Sequence, residues 1–141
     1  SPLQDRGLNH LRKIIEFFDK DVTLHFRREE EVLFPALEKH IDAEKSPAKM
    51  LRQEHEYWRG YYERLKEIAA RMEGVEAANA EALSVEAQEV NRSIEQLLRE
   101  HIKKENESLL PLARSLLSEA ELHEISQEWR SMENQPASPL T

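Results

Sequence analysis

The sequence predicts an all-α fold, an up-down bundle of three long helices followed by a short C-terminal helix. Helix-favouring residues dominate the 141-residue chain, of which 34% is charged and which contains only three glycines. Apolar residues recur at alternating steps of four and three through three long segments, as expected of helices that face a common core. We place one domain at residues 1–133 and a disordered tail at 134–141, because the tail has two prolines and no periodicity.

The first predicted helix spans residues 3–40. Pro35 lies inside its pattern, where the ring removes a backbone donor and clashes with the preceding turn, so we expect a kink or a stop there. The predicted core-facing stripe consists of Leu11, Ile15, Phe18, Val22, His25, Glu29, Val32 and Ala36.

The second predicted helix begins at Ser46 and Pro47, which are typical of the N-cap and first helical positions, and runs to about residue 73. Gly74 follows as a plausible C-terminal cap. The stripe of this helix consists of Leu51, His55, Trp58, Tyr62, Leu65, Ala69 and Met72.

The sequence between the second and third helices, residues 74–83, is predicted to be a loop. Ser84 can cap the third helix, which continues to about residue 114. Ser118 and Glu121 form a capping-box pattern for the fourth helix, which ends near Met132. The stripe of the third helix consists of Ala87, Asn91, Ile94, Leu98, His101, Glu105, Ser108 and Leu112.

One stretch of the chain occurs twice. HFRREEEVLFP begins at His25, and HIKKENESLLP begins 76 residues later at His101. Each copy places a Glu four residues after the His, on the same face of a helix and inside the core-facing stripe. Buried carboxylates need compensation, and a metal cation bound by these residues and His55 would supply it. Such nitrogen and oxygen donors suit iron, manganese or zinc. The alternative is a metal-free core of hydrogen-bonded His and Glu.

We expect the other three histidines to lie outside this site. His40 and His123 fall near a helix end and on a predicted surface. His10 is 15 residues from His25, which corresponds to about 22 Å along a continuous helix.

The paired H-x-x-x-E motifs, each followed by a Leu-x-Pro element and separated by a lone His, resemble the hemerythrin-like HHE cation-binding domain over most of the chain. The resemblance implies an up-down four-helix bundle with two non-haem iron ions, for which manganese or zinc can substitute. It further implies terminal ligands at His25, His55 and His101 and bridging carboxylates at Glu29 and Glu105.

Two departures from the family pattern bear on function. Family members usually begin with one more helix that carries a further His, and this first helix is missing from the predicted set. Oxygen carriers have a second His one turn after the His of the third family helix, where this chain has Arg59. The resemblance therefore favours binding or sensing of oxygen, nitric oxide or peroxide. The alternatives are a di-iron enzyme acting on peroxide or nitric oxide, and iron storage or donation for stress repair. The sequence leaves the choice between binding and turnover open.

Aromatic residues near the motif histidines predict the surroundings of the site. Phe18, Trp58 and Tyr62 share the stripes of His25 and His55, and we expect them to line a small apolar pocket for the ligand. Simple core packing is the alternative, most of all for Phe18.

Composition limits the partners and the location. A net charge of −8 argues against nucleic acid and anionic membranes, and the absence of cysteine excludes thiolate zinc sites and iron–sulfur clusters. Neither a membrane-spanning run nor a signal peptide is visible, so we expect a cytoplasmic protein. The fourth helix has too few apolar positions to cover three long stripes. Either a helix upstream of this sequence or a second copy of the chain would supply the cover, and of the two we expect a homodimer.

Overall fold

The computed structural model describes residues 2–133, and every regular element within that range is helical. The predicted all-α architecture is therefore confirmed. The predicted disordered tail at 134–141 lies outside the described residues, and the extent of the domain stays a prediction. Consecutive long helices run antiparallel because their connections are short. Helix α1 covers residues 2–38, α2 is Ala48–Met72, α3 covers residues 77–116 and α4 is Glu119–Met132, with a 3₁₀ turn at Ala43–Lys45.

The helix ends largely follow the predicted capping residues. The hydroxyl of Ser46 accepts a hydrogen bond of 3.1 Å from the backbone N–H of Ala48 at the start of α2. Gly74 adopts the left-handed conformation with φ of 74° after α2, where a side chain would be strained. Ser118 and Glu121 form the predicted reciprocal capping box at the start of α4.

The predicted loop at 74–83 is wrong over most of its length, because α3 begins at Ala77. This Ala- and Glu-rich segment has high helix propensity. Ala80 and Leu83 are buried and extend the core-facing stripe towards the N-terminus of the helix. Ser84 consequently lies inside α3 and does not cap it.

Three turns of the long helices are wound as π-helix. Two of them begin at motif carboxylates: the backbone N–H of Phe34 donates to the carbonyl of Glu29, and the N–H of Leu110 donates to that of Glu105, five residues earlier in each case. A π-turn holds one more residue than an α-turn. The three π-turns are Phe18–Val22 and Glu29–Leu33 in α1 and Glu105–Leu109 in α3.

The additional residue displaces the core-facing stripe that follows each motif. Val32, Ala36, Ser108 and Leu112 are predicted stripe positions, but the structure buries the next residue in every case. The buried residues are Leu33, Leu37, Leu109 and Ala113. Helix α2 has no π-turn, and all seven of its predicted stripe residues are buried.

Pro35 does not stop α1, which continues to Glu38. The π-turn Glu29–Leu33 ends two residues before this proline, and Pro111 follows the π-turn of α3 at the same distance. Of the two expected outcomes, a kink or a stop, the stop does not occur, because the widened turn takes up the distortion that a proline imposes on the residues before it.

Buried apolar side chains form two clusters along the bundle. The first joins α1, α2 and α3 and contains Phe18, Tyr62 and Ile94. The second, which contains Phe34 and Leu51, lies towards the other end of the bundle. The motif residues of the three long helices fall between the two clusters along the chain, so the site lies in the middle of the bundle.

Helix α4 covers one end of the bundle, where Ile125 and Trp129 pack against the second cluster. Over the first cluster, α1 and α3 leave a groove of about 540 Å³ whose lining includes His10, Phe17 and Phe18. The homodimer expected from incomplete coverage stays a prediction. Within the described range, none of the helices combines the length and the apolar character needed to cross a bilayer.

Candidate metal centre

Residues of both sequence motifs converge in the middle of the bundle. His25 and Glu29 of α1 and His101 and Glu105 of α3 each offer one ligand atom, and these atoms all lie within 4.8 Å of one another. His55 of α2 joins them, since its Nε2 is 3.2 Å from Oε1 of Glu29 and 3.2 Å from Nε2 of His101. The structure thus brings together all five candidate ligands, and their role in metal binding stays a prediction.

Glu29 is the central residue of this cluster. Its Oε1 lies 3.4 Å from Nε2 of His25, 3.2 Å from Nε2 of His55 and 3.4 Å from Nε2 of His101. Oε1 of Glu105 is 2.7 Å from Nε2 of His101 and 3.1 Å from that of His25. Three imidazole nitrogens therefore face two carboxylates across a small volume.

The cluster is buried on one side and reaches solvent on the other. Glu29 is 2% exposed, His55 0% and His101 1%. The side chain of His25, in contrast, is 47% exposed. The site therefore has one accessible edge, at α1, and a sealed interior.

Hydrogen bonds and ion pairs within the cluster shift the pKa values of His101, Glu105 and His25. Burial opposes protonation of His101, but its hydrogen bonds to Glu105 and Glu29 outweigh burial and raise its pKa to about 10. Burial likewise opposes ionisation of Glu105, yet hydrogen bonds from His101 and His25 hold its pKa well below the usual range. The hydrogen bond to Glu105 raises the pKa of His25. The inner carboxylates thus attract positive charge, which protons or a metal cation can supply.

Two carboxylates that the sequence analysis did not single out engage the outer nitrogens of the buried imidazoles. Nδ1 of His55 is 2.9 Å from Oε1 of Glu30, and Nδ1 of His101 is 3.0 Å from Oε1 of Glu54. Each is a sequence neighbour of a candidate ligand, since Glu30 follows Glu29 and Glu54 precedes His55. This adjacency to a candidate ligand is the one feature of the sequence that could have pointed to them.

Each of these outer carboxylates is paired with a cation. Nη2 of Arg59 lies 2.9 Å and 2.7 Å from the two oxygens of Glu30, and Nζ of Lys104 contacts Glu54. Burial disfavours the charge on Glu30, but hydrogen bonds from His55 and Arg59 lower its pKa to about 2. Arg59 therefore pairs with an outer carboxylate.

The donor set fits a metal ion. Nε2 of His55 and Nε2 of His101 lie 3.2 Å apart, and Oε1 of Glu29 lies 3.2 Å from the first nitrogen and 3.4 Å from the second, so two imidazole nitrogens and a carboxylate oxygen share one small volume. A cation held between these nitrogens and the oxygens of Glu29 and Glu105 would satisfy all of them at once. Imidazole and carboxylate together suit iron, manganese and zinc.

Aromatic rings form the wall of the site on the side of the first cluster. Phe26 stacks on the imidazole of His55 with a centroid distance of 3.8 Å and an interplanar angle of 15°. Phe26 and Trp58 meet in a T-shaped arrangement with ring centroids 5.1 Å apart. Sequence reasoning missed Phe26, which follows His25 in the first motif and corresponds to the exposed Ile102 in the second. The repeat therefore gave no signal for it.

The predicted pocket residues all lie on this aromatic wall. Phe18 contacts Trp58 and Tyr62 edge-on and also lines the groove between α1 and α3. The hydroxyl of Tyr62 donates a 3.1 Å hydrogen bond to Asp19. The indole N–H of Trp58 is buried and has no hydrogen-bond partner among residues 2–133. A ligand pocket here stays a prediction.

Comparison with known proteins gives one match. The model of the hemerythrin HHE cation binding domain matches residues 2–113, which is more than half of the chain. No significant match exists among curated proteins or among solved structures. The matched range contains all five clustered residues together with Glu30 and Glu54.

Proposed function

Because this chain belongs to the hemerythrin HHE cation-binding family, we propose that it is a non-haem di-iron domain that binds or senses a small oxidant or diatomic ligand. The carrying observation is the convergence of His and Glu side chains from both sequence motifs, three of the four buried, with ligand atoms within 4.8 Å of one another. Family membership supports cation binding. The number of ions, their identity as iron and the sensing role are our proposal.

The charges around the cluster support a bound cation. The outer carboxylates of Glu30 and Glu54 are balanced by Arg59 and Lys104. The two inner carboxylates have no Lys or Arg partner among the described residues, and leaving two negative charges in a protein interior costs several kcal/mol for each ion. Divalent cations at this position would offset that cost.

The five clustered residues have distinct proposed roles. Three imidazoles would act as terminal ligands through Nε2, and the two inner carboxylates would bridge the ions. When bound, iron would supply Lewis acidity and one-electron redox chemistry at positions that the protein leaves open. The proposed terminal ligands are His25, His55 and His101, and the proposed bridges are Glu29 and Glu105.

Two features favour a small ligand. The exposed edge at His25 gives access from solvent. On the buried side, Trp58 lies one helical turn after His55, and its indole N–H has no partner among the described residues. A small oxidant or diatomic molecule can accept a hydrogen bond from it. Arg59 contacts Glu30 and so leaves the centre with fewer imidazoles than an oxygen carrier has, which favours sensing over reversible transport. The cytoplasmic location stays a prediction.

Metal analysis after anaerobic loading with Fe(II) tests the proposal. We expect about two iron ions per chain, and we expect Glu29→Ala or His101→Ala to lose most of them. Glu31→Ala is the matched control, because Glu31 is 53% exposed and pairs with Arg27. A wild-type protein that retains no metal would contradict the proposal.

Ligand tests then separate sensing from catalysis. The iron-loaded protein is mixed with oxygen, nitric oxide or peroxide while its absorption spectrum is followed. A stoichiometric spectral change without turnover supports a sensor, whereas sustained consumption of peroxide or nitric oxide identifies an enzyme.

A further inference from the structure

We propose that Glu30 and Glu54 are positioning residues, which hold the imidazoles of His55 and His101 with Nε2 directed at the metal centre. This inference rests on the proposed metal-binding function and adds two residues to it. It concerns the orientation of the two buried ligands.

The hydrogen bonds assign one nitrogen of each ring to an outer carboxylate. Nδ1 lies 2.9 Å from Glu30 in His55 and 3.0 Å from Glu54 in His101. A carboxylate oxygen accepts a hydrogen bond, so Nδ1 carries a proton in both rings. In a neutral imidazole the remaining nitrogen, Nε2, then offers its lone pair to the centre. Rotating either ring by half a turn would break its contact with the outer carboxylate and remove Nε2 from the inner carboxylates.

These two hydrogen bonds link α1 to α2 and α2 to α3. Glu30 of α1 fixes the ring carried by α2, and Glu54 of α2 fixes the ring carried by α3. Each of these carboxylates also stands next to a candidate ligand on its own helix, namely Glu29 or His55. A helix that places its own ligand therefore also orients the ligand of the next helix, which couples the rotations of all three helices about their axes.

Cations hold the outer carboxylates in place. Arg59 contacts both oxygens of Glu30, at 2.9 Å and 2.7 Å, so that carboxylate has a fixed plane. Lys104 contacts Oε2 of Glu54, which leaves Oε1 for the ring. Glu54 is itself only 7% exposed, so water competes little for its hydrogen bond.

His25 provides a contrast inside the same site. Its side chain is 47% exposed, and no carboxylate contacts its Nδ1 within the described part of the chain. Its orientation is therefore set from the inner side by Glu29 and Glu105, and we expect it to be insensitive to changes at the outer carboxylates.

Zinc affinity tests the inference, because zinc is diamagnetic and redox-inert. Competition with a chromophoric chelator is measured for the wild type, Glu30→Ala and Glu54→Ala, and for Glu30→Gln and Glu54→Gln, whose amide oxygen can still accept from Nδ1–H. Loss of an outer hydrogen-bond partner typically weakens metal binding by about 10- to 100-fold. We expect that loss in the Ala variants and a smaller loss in the Gln variants.

Exposed carboxylates on the same helices provide the controls. Glu31 pairs with Arg27 and is 53% exposed, and Glu63 pairs with Lys66 and is 56% exposed. We expect Glu31→Ala and Glu63→Ala to bind zinc as the wild type does. The far-ultraviolet circular dichroism of each metal-free variant verifies that it is folded.

Nuclear magnetic resonance of ¹⁵N-labelled histidine in the zinc-loaded proteins separates orientation from general structure. In the wild type, we expect protonated Nδ1 and metal-bound Nε2 signals for both His55 and His101. Glu54→Gln should shift the Nδ1–H signal of His101 and leave that of His25 unchanged. If an Ala variant fails to fold, this measurement on the Gln variant still tests the inference.

The outcomes distinguish this inference from the proposed function. A wild-type protein that binds no zinc and no iron overturns both. A wild-type protein that binds zinc, with Glu30 and Glu54 variants that match the Glu31 and Glu63 controls in affinity and in the Nδ1–H signals, overturns the positioning role alone.

Discussion

Replacing Glu29 with Gln should remove most of the stability that metal binding adds to this protein. The substitution preserves the size of the side chain but replaces one carboxylate oxygen with an amide nitrogen, which cannot bind a metal. Oε1 of Glu29 lies within 3.4 Å of Nε2 in His25, His55 and His101. Because loss of an outer partner already weakens metal binding by about 10- to 100-fold, loss of this central ligand should weaken it by at least about 100-fold.

The affinity change converts directly into a change in unfolding free energy. With free zinc at about 100 times the wild-type Kd, binding stabilises the wild type by about 2.7 kcal/mol. If the Kd rises about 100-fold, the same zinc concentration stabilises Glu29→Gln by about 0.4 kcal/mol. Urea unfolding with and without zinc measures this increment within each protein, so the effect of the substitution on the metal-free fold cancels.

Glu31→Gln provides the matched control, because this exposed Glu lies two residues away on the same helix. It should retain the full increment from zinc. The reasoning is refuted if Glu29→Gln gains as much stability from zinc as the wild type and the control do, since Glu29 would then not bind the metal.

Three further predictions concern two aromatic residues beside the centre and the helix cap at the start of α4. Phe26→Ala should destabilise the metal-free protein by about 3–5 kcal/mol in urea unfolding, because the ring is 2% exposed and stacks on His55, and a loss below about 1 kcal/mol would contradict that packing role. Trp58→Phe should leave the iron content unchanged but weaken binding of nitric oxide or peroxide by about 2- to 10-fold in spectral titrations, through loss of one donor; equal loss of iron and ligand would indicate packing instead. The hydrogen bond from His40, together with the capping bonds of Ser118, lowers the pKa of Glu121 below its ordinary value of 4.5. Ionised Glu121 therefore stabilises the folded state above pH 4.5, and this stabilisation is lost as the pH falls through the lower pKa of the folded state. Glu121→Gln should therefore flatten the acid side of the stability profile, and profiles of identical slope would exclude this contribution.

The sequence predicts α2 more accurately than α1 or α3, and the reason is local. A heptad pattern assumes that every turn holds the same number of residues, and α2 satisfies that assumption from Leu51 to Met72. In α3 the π-turn after Glu105 adds a residue, so Leu109 is buried where the pattern predicts Ser108. A fixed apolar repeat cannot predict such a turn, although the proline in each motif marks where the helix is distorted.

The candidate site was predictable where a residue pairs with its copy in the second motif and, for His55, which has no copy, from its place in the core-facing stripe of the second helix. His25 and Glu29 have such copies, and the structure brings both pairs together. Glu54 has none, and its charge alone predicts a solvated surface residue. Its role depends on contacts with His101 and Lys104, 47 and 50 residues away, which local spacing does not contain.

The exposed edge at His25 has a consequence for rates rather than for affinity. A chelator, or a protein that delivers iron, can approach the centre there without opening the bundle, whereas His55 and His101 are sealed by the core. With His25 as the proposed ligand at this edge, exchange of the metal would proceed through displacement of that one imidazole, a local fluctuation far less costly than global unfolding. A centre built in this way can bind its metal tightly at equilibrium and still gain or lose the metal quickly.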